Sequence, residues 1–280
     1  EVGAGLASGS SDLRSTNQSF DSTFSSKGIN MDYAYAQYKL NDQFKAIGGK
    51  FKFANYLYTA SDLMWDSDIN PEGFSVNFIH NSELGSTFAN SGIWLLEENG
   101  GSVQDPHMIY GQIGQRFGSD SVFGTLAGTF YSISDNPVLG SFVTEGINSD
   151  PNFGEIFSLS GEIGHRDLFG NGVRTSIVAE WVTNSDTTTS EDTGYLIGVK
   201  AAKGSWSLAY NYADLAQNAW PDIFPDSDRF DGLTGTKGHE VALTYAVMSN
   251  VAVGIDFYSV ENEVLNLDQN LIQLDLNVKF

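Results

Sequence analysis

Apolar and polar side chains alternate with a period of two along almost the whole chain, and helical periodicity is nearly missing. The last segment shows this most clearly. One face of an extended strand there is apolar (Ile272, Leu274, Leu276, Val278, Phe280) and the other is polar (Gln273, Asp275, Asn277, Lys279). The pattern predicts an all-β chain whose strands have one apolar face and one polar, water-facing face.

The alternation divides the chain into about 14 strands, and an even number is typical of bacterial outer-membrane barrels. The predicted strands are 2–9, 31–40, 44–53, 74–80, 89–96, 108–117, 122–131, 156–164, 173–182, 195–201, 206–213, 240–247, 251–258 and 271–280. We therefore expect a single domain, residues 1–280.

The connections between these strands are sorted by length. Short turns (41–43, 118–120, 170–172, 203–205, 249–250) alternate with long polar loops (10–30, 54–73, 97–107, 132–155, 183–193, 215–239, 260–270). A soluble β-sandwich has no reason to sort its loops in this way. The pattern predicts a transmembrane, antiparallel, up-and-down β-barrel, with both termini on the short-turn, periplasmic side.

Composition excludes several classes of protein. The chain has 14 basic and 35 acidic residues, a net charge of −21, which argues against nucleic-acid binding because phosphates require clustered Lys and Arg. It has no cysteine, so thiol chemistry and Cys-based metal sites are excluded. No apolar stretch is long enough for a membrane-spanning helix. Because the chain opens at Glu1 without an apolar leader, we expect that any export signal has been removed or was never part of this chain.

Aromatic residues concentrate near the predicted strand ends. Tyr38, Phe117, Trp206 and Phe280 are expected at the short-turn side, and Phe130, Trp181 and Tyr212 at the long-loop side. Two interfacial belts would place them so. Ordinary β-propensity also enriches aromatic residues in strands, and only the paired location favours belts.

Two runs near the beginning of the chain carry a family resemblance. The first is Gly48-Gly49-Lys50-Phe51-Lys52-Phe53, and the second is Ser61-Asp62-Leu63-Met64-Trp65-Asp66-Ser67-Asp68-Ile69-Asn70-Pro71-Glu72-Gly73. They resemble the "putative porin" family of Gram-negative outer membranes. The resemblance is specific over roughly the first 80 residues. It implies an outer-membrane channel, and 16 strands if the natural N-terminus is missing, because family members usually carry further strand-like sequence upstream.

The C-terminal residue carries a second resemblance. Phe280, with apolar residues at alternate positions before it, resembles the signal read by the barrel assembly machinery. The partners that we expect are that machinery, outer-membrane lipid and lipopolysaccharide, small hydrophilic solutes and, as one option, two further copies in a homotrimer.

Charged residues on the strands predict the lining of the lumen. Alternation predicts that a basic set and an acidic set face inward. The basic set is Lys39, Lys50, Lys52, Arg116, Arg174, Lys200 and Lys279, and the acidic set is Glu162, Glu180, Asp256 and Asp275. The apolar neighbours Phe51, Val173, Ile177 and Val199 are then expected to face outward. A charge facing lipid at mid-membrane would cost about 2–4 kcal/mol. The basic set predicts a local preference for anions, although pairing with the acidic set is an equal alternative. The acidic loops would attract cations to the mouth.

The loop 54–73 carries large apolar residues (Tyr56, Leu57, Tyr58, Leu63, Met64, Trp65) that would be costly to leave in water. We expect it to fold onto or into the pore mouth, with Trp65, Asp66, Asp68, Asn70 and Glu72 at that mouth. Asp66, Asp68 and Glu72 are candidate Ca²⁺ ligands, and Asp226, Asp228 and Asp231 form a second acidic cluster. The alternative, that these are turn-forming residues, is favoured, so we expect no cofactor.

An enzyme is the third-ranked function. Of the four histidines (His80, His107, His165, His239), His107 and His239 begin strands at the long-loop side, but neither belongs to a nucleophile motif. We expect no catalysis. Two functions remain: a water-filled channel for passive diffusion of small hydrophilic solutes and ions, and a barrel used as a surface scaffold or adhesin through its long loops. About 14 strands leave room for a lumen, which favours the channel.

Overall fold

The computed structural model describes residues 1–9, 13–17, 23, 26–101, 104–134 and 146–279. Within these residues, fourteen antiparallel strands form one sheet in chain order. They are β1 (Val2–Ala7), β2 (Asn30–Lys39), β3 (Phe44–Lys50), β4 (Glu72–Ser82), β5 (Gly85–Leu95), β6 (His107–Gly118), β7 (Val122–Ile133), β8 (Ile156–His165), β9 (Arg174–Asn184), β10 (Thr193–Lys203), β11 (Trp206–Leu215), β12 (Thr236–Met248), β13 (Val251–Asn262) and β14 (Leu267–Val278).

Among the described residues of the connections, two segments form single 3₁₀ turns, Phe53–Asn55 and Phe230–Gly232. In the described part of the chain, no helix has the length and apolar character needed to cross a membrane.

Each predicted strand overlaps one observed strand, so the up-and-down β-barrel is confirmed. Several strand boundaries differ by a few residues. At 260–270 this changes a predicted element: a long loop was expected, whereas β13 and β14 extend into it and leave a connection of only 263–266. The extension is stabilised by inward-facing side chains, because Val260 and Asn262 are both buried.

The register shows why the wall has two faces. One row across neighbouring strands is apolar and exposed on the outside (Ile163, Ile177, Val199, Tyr210, Val241, Phe257, Ile272). The adjacent row points inward (Glu162, Val178, Gly198, Asn211, Glu240, Tyr258). Neighbours on a strand point to opposite faces, so the apolar rows form the lipid-facing band.

The aromatic belts also lie on the outside. Tyr38 and Trp206 are exposed near the short turns, and Phe130 and Trp181 are exposed near the long loops. Trp206 packs against Tyr245 of the next strand, with ring centroids 4.6 Å apart. Paired placement at both ends of the strands favours interfacial anchoring over simple β-propensity.

Successive connections leave opposite ends of the barrel. At one end we number them L1 (8–29), L2 (51–71), L3 (96–106), L4 (134–155), L5 (185–192), L6 (216–235) and L7 (263–266); most of these are long, but L7 is short, and at the other end the connection 166–173 is as long as L5. All of them leave the same end of the barrel, and the short turns leave the other. Because β1 ascends from the short-turn end and β14 descends to it, Glu1 and Lys279 lie at the same end. Parts of L1, L3 and L4 lie outside the described residues.

Candidate functional site: a loop plug inside the barrel

The inner wall is not polar throughout. Toward the long-loop end, strands β3 to β11 turn buried apolar side chains into the lumen (Ile47, Trp94, Met108, Tyr110, Tyr131, Ile133, Ile156, Val178, Val182, Leu196, Leu215). Apolar groups are costly to leave facing water. They are covered by L2 and L6, which fold inward and form with this wall a single apolar cluster.

Trp65 of L2 lies at the centre of that cluster and is 2% exposed. Its ring centroid lies 4.8 Å from that of Phe224, 5.3 Å from Trp94 and 5.4 Å from Trp220. Trp94 belongs to the wall, whereas Trp220 and Phe224 belong to L6. Trp65 therefore holds L2, L6 and the wall together in what we call the plug, residues 53–71 and 216–235.

Backbone hydrogen bonds join the two loops of the plug. The N–H of Asp66 donates to the Phe224 carbonyl at 2.7 Å, and the N–H of Asp226 donates to the Asp62 carbonyl at 3.3 Å. The Trp220 Nε1–H donates to the Met64 carbonyl at 2.7 Å. Loops far apart in sequence are thus paired directly, which satisfies backbone groups that would otherwise be buried without partners.

The neighbouring loops L4 and L5 support the plug from the long-loop side. Asn218 accepts at Oδ1 from the N–H of Ser149 (2.8 Å) and of Asp150 (3.0 Å), and its own N–H donates to the Glu191 carbonyl at 2.7 Å. Asp222 accepts the N–H of Asn148 at 3.0 Å. These buried polar groups fix the position of L6.

L2 is attached to the wall by a polar seam. Gln112 accepts the N–H of Tyr58 at 2.8 Å and donates to the Tyr58 carbonyl at 2.9 Å. Glu180, which is 2% exposed, accepts from the N–H of Ala60 at 3.3 Å and from the Ser61 hydroxyl. A buried carboxylate is stable only with such partners, so Glu180 and residues 60–61 hold each other in place.

Arg229 attaches the other end of L6. Its guanidinium is 3.2 Å from the Glu240 carboxylate and donates to Asn211 Oδ1 at 2.8 Å, both on the inner wall. The side chain of Arg229 is only 5% exposed. Such a buried pair is costly to break, since one charge would remain unpaired.

Most of the predicted lining residues have inward register positions. Arg116, Arg174 and Lys200 lie on the inner face of β6, β9 and β10, and Glu162, Glu180, Asp256 and Asp275 lie on the inner face of β8, β9, β13 and β14. Lys39 has an inward register but pairs with Asp42 of the adjacent turn at 2.7 Å. Lys279 follows β14 at the short-turn end.

The expected orientations of Lys50, Lys52 and Phe51 are wrong. Phe51 is fully buried inside the barrel against Tyr56 and Trp94. Lys50 shares the outward register of Glu72 and pairs with it at 3.1 Å, and Lys52 lies beyond β3 with its Nζ 5.5 Å above the Tyr33 ring. The plug explains the inward orientation of Phe51, because it gives this apolar side chain an apolar interior to pack against.

The acidic residues of L2 and Glu72, which begins β4, are not gathered into a coordination shell. Asp66 accepts the N–H groups of Asp68 (2.9 Å) and Ser227 (3.0 Å), and Glu72 is paired with Lys50. Asn70 donates to Asp32 at 2.6 Å. Within the described residues no cluster of three or more His, Asp or Glu side chains could hold a metal ion. These side chains stabilise the turns of the plug.

Burial raises the pKa of several carboxyl groups in the plug. Desolvation raises the pKa of Asp66, and desolvation together with the neighbouring Asp62 charge raises the pKa of Asp226 to about 8. In L6, Asp228 also has a raised pKa, chiefly from burial. The underside of L6 is thus an acidic region with little water to stabilise charge.

Neither candidate histidine lies in a catalytic arrangement. The His107 ring is bonded to the Asp105 carbonyl at 3.2 Å. His239 faces outward, where its Nδ1 is 2.9 Å from the Tyr210 hydroxyl and its ring stacks on the Tyr210 ring. Phe280 lies outside the described residues.

Among the cavities of the described residues, two lie at the ends of the plug. The outer cavity, about 980 Å³, is lined by acidic and polar residues of L1, L2 and L3 together with Trp65 and Trp94. The inner cavity, about 290 Å³, lies on the short-turn side beneath residues 54–56. Its lining includes Lys45 and Arg116.

Sequence reasoning missed the part that L6 plays. Trp220, Asn218 and Arg229 were not singled out, nor were Asn148 of L4 and Lys45 of β3. The signal that identified L2 was present in L6 too, because Trp220, Ile223 and Phe224 are large apolar residues in a long connection. Hydrogen-bonding partners such as Asn148 and Asn218 carry no local sequence signal.

Comparison with known proteins decides the family. The family model described as "Putative porin" matches residues 1–132 and 174–280. The chain belongs to the "putative porin" family. It is thus an outer-membrane β-barrel, as its two-faced wall indicates. A search of curated proteins found no match.

Solved structures share the fold of this porin-family chain. Wzi of Escherichia coli, described as a carbohydrate-binding β-barrel involved in capsule assembly, aligns with a TM-score of 0.61 at 12% identity, over 90% of this chain and 64% of Wzi. The chain thus spans less than two thirds of the length of Wzi. A mutant porin of Rhodopseudomonas blastica aligns with a TM-score of 0.55 at 9% identity, over 93% of this chain and 81% of the porin. A triple mutant of that porin gives a TM-score of 0.53. At these identities the likeness concerns the fold.

Proposed function

We propose that this barrel is a narrow channel for passive diffusion of small hydrophilic solutes and ions across the outer membrane. The observation that carries the proposal is the contrast within the lumen. The inner wall below the plug is polar and charged, with Arg116, Arg174 and Lys200 on one side and Asp256 and Asp275 on the other. A polar inner wall is what a water-filled path for solutes requires.

The plug sets the width of that path. The apolar core around Trp65 occupies the part of the lumen bounded by β3 to β11, so we expect passage in the space beside it. The inner face there is small at Ala242 and Gly254, whereas the rings of Tyr35 and Tyr33 lie over Gly3 and Gly5. This barrel should therefore conduct less than its strand number alone would suggest.

The expected setting follows from the same features. We place the short turns and both termini on the periplasmic side and the long loops outside, where lipopolysaccharide would surround them. Assembly by the barrel assembly machinery and association into a homotrimer belong to this proposal. Porin-like barrels are not enzymes as a class, and catalysis forms no part of it.

A second candidate is a binding barrel that does not conduct. It is favoured by the inward-folded loops, and by the likeness to Wzi, which its description calls carbohydrate binding. The outer cavity would then be the binding site, and the plug its floor.

Planar-bilayer recording distinguishes the two. The purified protein should show discrete small steps, and a variant with residues 54–70 replaced by a short flexible linker should show larger ones. Circular dichroism of both proteins checks that the strand content is unchanged. Silence from both, with both folded, would contradict the channel and favour the binding barrel.

A further inference from the structure

The inner cavity beneath the plug brings together two cations from distant strands. Lys45 lies on β3 and Arg116 on β6, and both line this space of about 290 Å³ together with polar side chains (Tyr35, Gln37, Asn55, Asn77). The roof is formed by residues 54–56 of L2. The cavity is thus polar, enclosed from above and open to the short-turn side of the lumen.

Neither cation has an anionic partner. Throughout the described part of the chain, no carboxylate lies within ion-pair distance of Lys45 or Arg116, although Lys39, Lys50, Arg229 and Lys237 are all paired. No hydrogen bond joins either side chain to a described acceptor. A guanidinium carries five N–H donors and an ammonium three, so both groups retain their capacity to donate.

Arg116 is nevertheless held in position. Its guanidinium carbon lies 4.5 Å above the centroid of Phe88, a ring that is fully buried and packs edge-on against Tyr58 of L2 at 6.3 Å. Stacking fixes the plane of the guanidinium while leaving its N–H edge free. A cation oriented by a ring, with free donors beside a polar cavity, is suited to binding an anion.

The remaining charge of the cavity does not cancel the two cations. Among the lining residues the one carboxylate is Glu1, which already accepts from the Tyr35 hydroxyl at 2.9 Å and from Gln37 Nε2 at 3.1 Å. The local field therefore favours negative solutes, opposite to the acidic outer cavity.

We propose that Lys45 and Arg116 form a binding site for a small oxyanion, a carboxylate or phosphate group, on the inner side of the plug. The inference rests on the proposed channel, and it names the solute class that this end of the channel retains. An oxyanion can accept from the guanidinium edge and the ammonium together, which a chloride ion does less well.

The test is calorimetric titration of inorganic phosphate, and separately of acetate, into the detergent-solubilised barrel. Binding to the wild type is expected, and Lys45→Gln and Arg116→Gln should each weaken it about tenfold or more, since each removes charge-assisted hydrogen bonds. Lys200→Gln is the matched control. It removes an inward-facing cation of β10 that does not line the cavity, and it should bind as the wild type does.

Titration needs no conduction, so its outcome is independent of the channel proposal. Absence of binding in a wild type that conducts would overturn the site and leave the channel intact. Equal weakening by Lys200→Gln would overturn it too, because binding would then follow the total charge. If Lys45→Gln fails to fold, Lys45→Arg serves instead: it keeps the charge, and a loss of binding there would contradict the site.

Discussion

Replacing Trp65 by alanine tests the physical basis of the plug. The indole is buried among Phe53, Trp94, Tyr131, Trp220 and Phe224. An aromatic side chain buries about 150–250 Å², and at about 25 cal/mol per Å² this amounts to roughly 4–6 kcal/mol. Truncation of a buried Trp or Phe to Ala costs about 3–5 kcal/mol. We take about 4 kcal/mol as the expected loss.

That energy is lost from the closed state of L2 and L6, because the barrel wall keeps its own hydrogen bonds. A loss of about 4 kcal/mol shifts the closed-to-open equilibrium of the plug by roughly three orders of magnitude. Hydrogen exchange should therefore accelerate in segments 53–71 and 216–235, where the N–H groups of Asp66 and Asp226 are bonded across the two loops. Single-channel conductance should rise.

Trp181→Ala is the matched control, because this Trp faces outward on β9 and is 38% exposed. It should leave exchange in both segments unchanged. Exchange in Trp65→Ala that equals the wild type would refute the reasoning, since Trp65 would then not hold the loops together.

Three further predictions concern other parts of the molecule. Arg229→Ala should destabilise the attachment of L6 by about 3–5 kcal/mol, because Glu240 is left buried without its cation. Hydrogen exchange in 216–235 should therefore accelerate, and adding Glu240→Gln should restore part of the protection. Burial and the Asp62 charge raise the pKa of Asp226 to about 8, so the closed plug is most stable below the ordinary aspartate pKa of about 3.9 and loosens as pH rises from there toward 8; conductance should increase over that range and level off above it, and Asp226→Asn should abolish the increase. Deletion of Phe280 should reduce the amount of folded protein in the outer membrane far more than the stability of assembled barrels, since one ring contributes only about 2–3 kcal/mol of burial; a normal folded yield would contradict an assembly signal.

The sequence predicts the wall far better than it predicts the interior. Alternation is a local property, so each strand and its outward row can be read from neighbouring residues, as at Ile272, Leu274 and Leu276. The apolar content of L2 likewise predicted that the loop folds onto or into the pore mouth. Phe51 shows the limit: beside Lys50 and Lys52 it has the pattern of a lipid-facing residue, and only the presence of an apolar plug turns it inward.

Contacts between distant loops leave no such local pattern. Several pairings depend on which loops meet inside the barrel. They are Asp62 with Asp226, Asn148 with Asp222, and Arg229 with Glu240. The same holds for the inner cavity, where Lys45 and Arg116 come from strands that are not neighbours.

The meeting of L2 and L6 inside the lumen can be tested directly, because the chain has no cysteine. The hydrogen bond of 3.3 Å from the Asp226 N–H to the Asp62 carbonyl brings the two backbones into the range that disulfides span, with Cα atoms about 4.4–6.8 Å apart. A variant carrying Asp62→Cys and Asp226→Cys should form an intramolecular disulfide on mild oxidation in membranes. A control pair, Asp62→Cys with Asp167→Cys of the turn at the opposite end, should not. Efficient cross-linking of the first pair alone is the result we predict. A first pair that stays reduced in the folded barrel would contradict the plug.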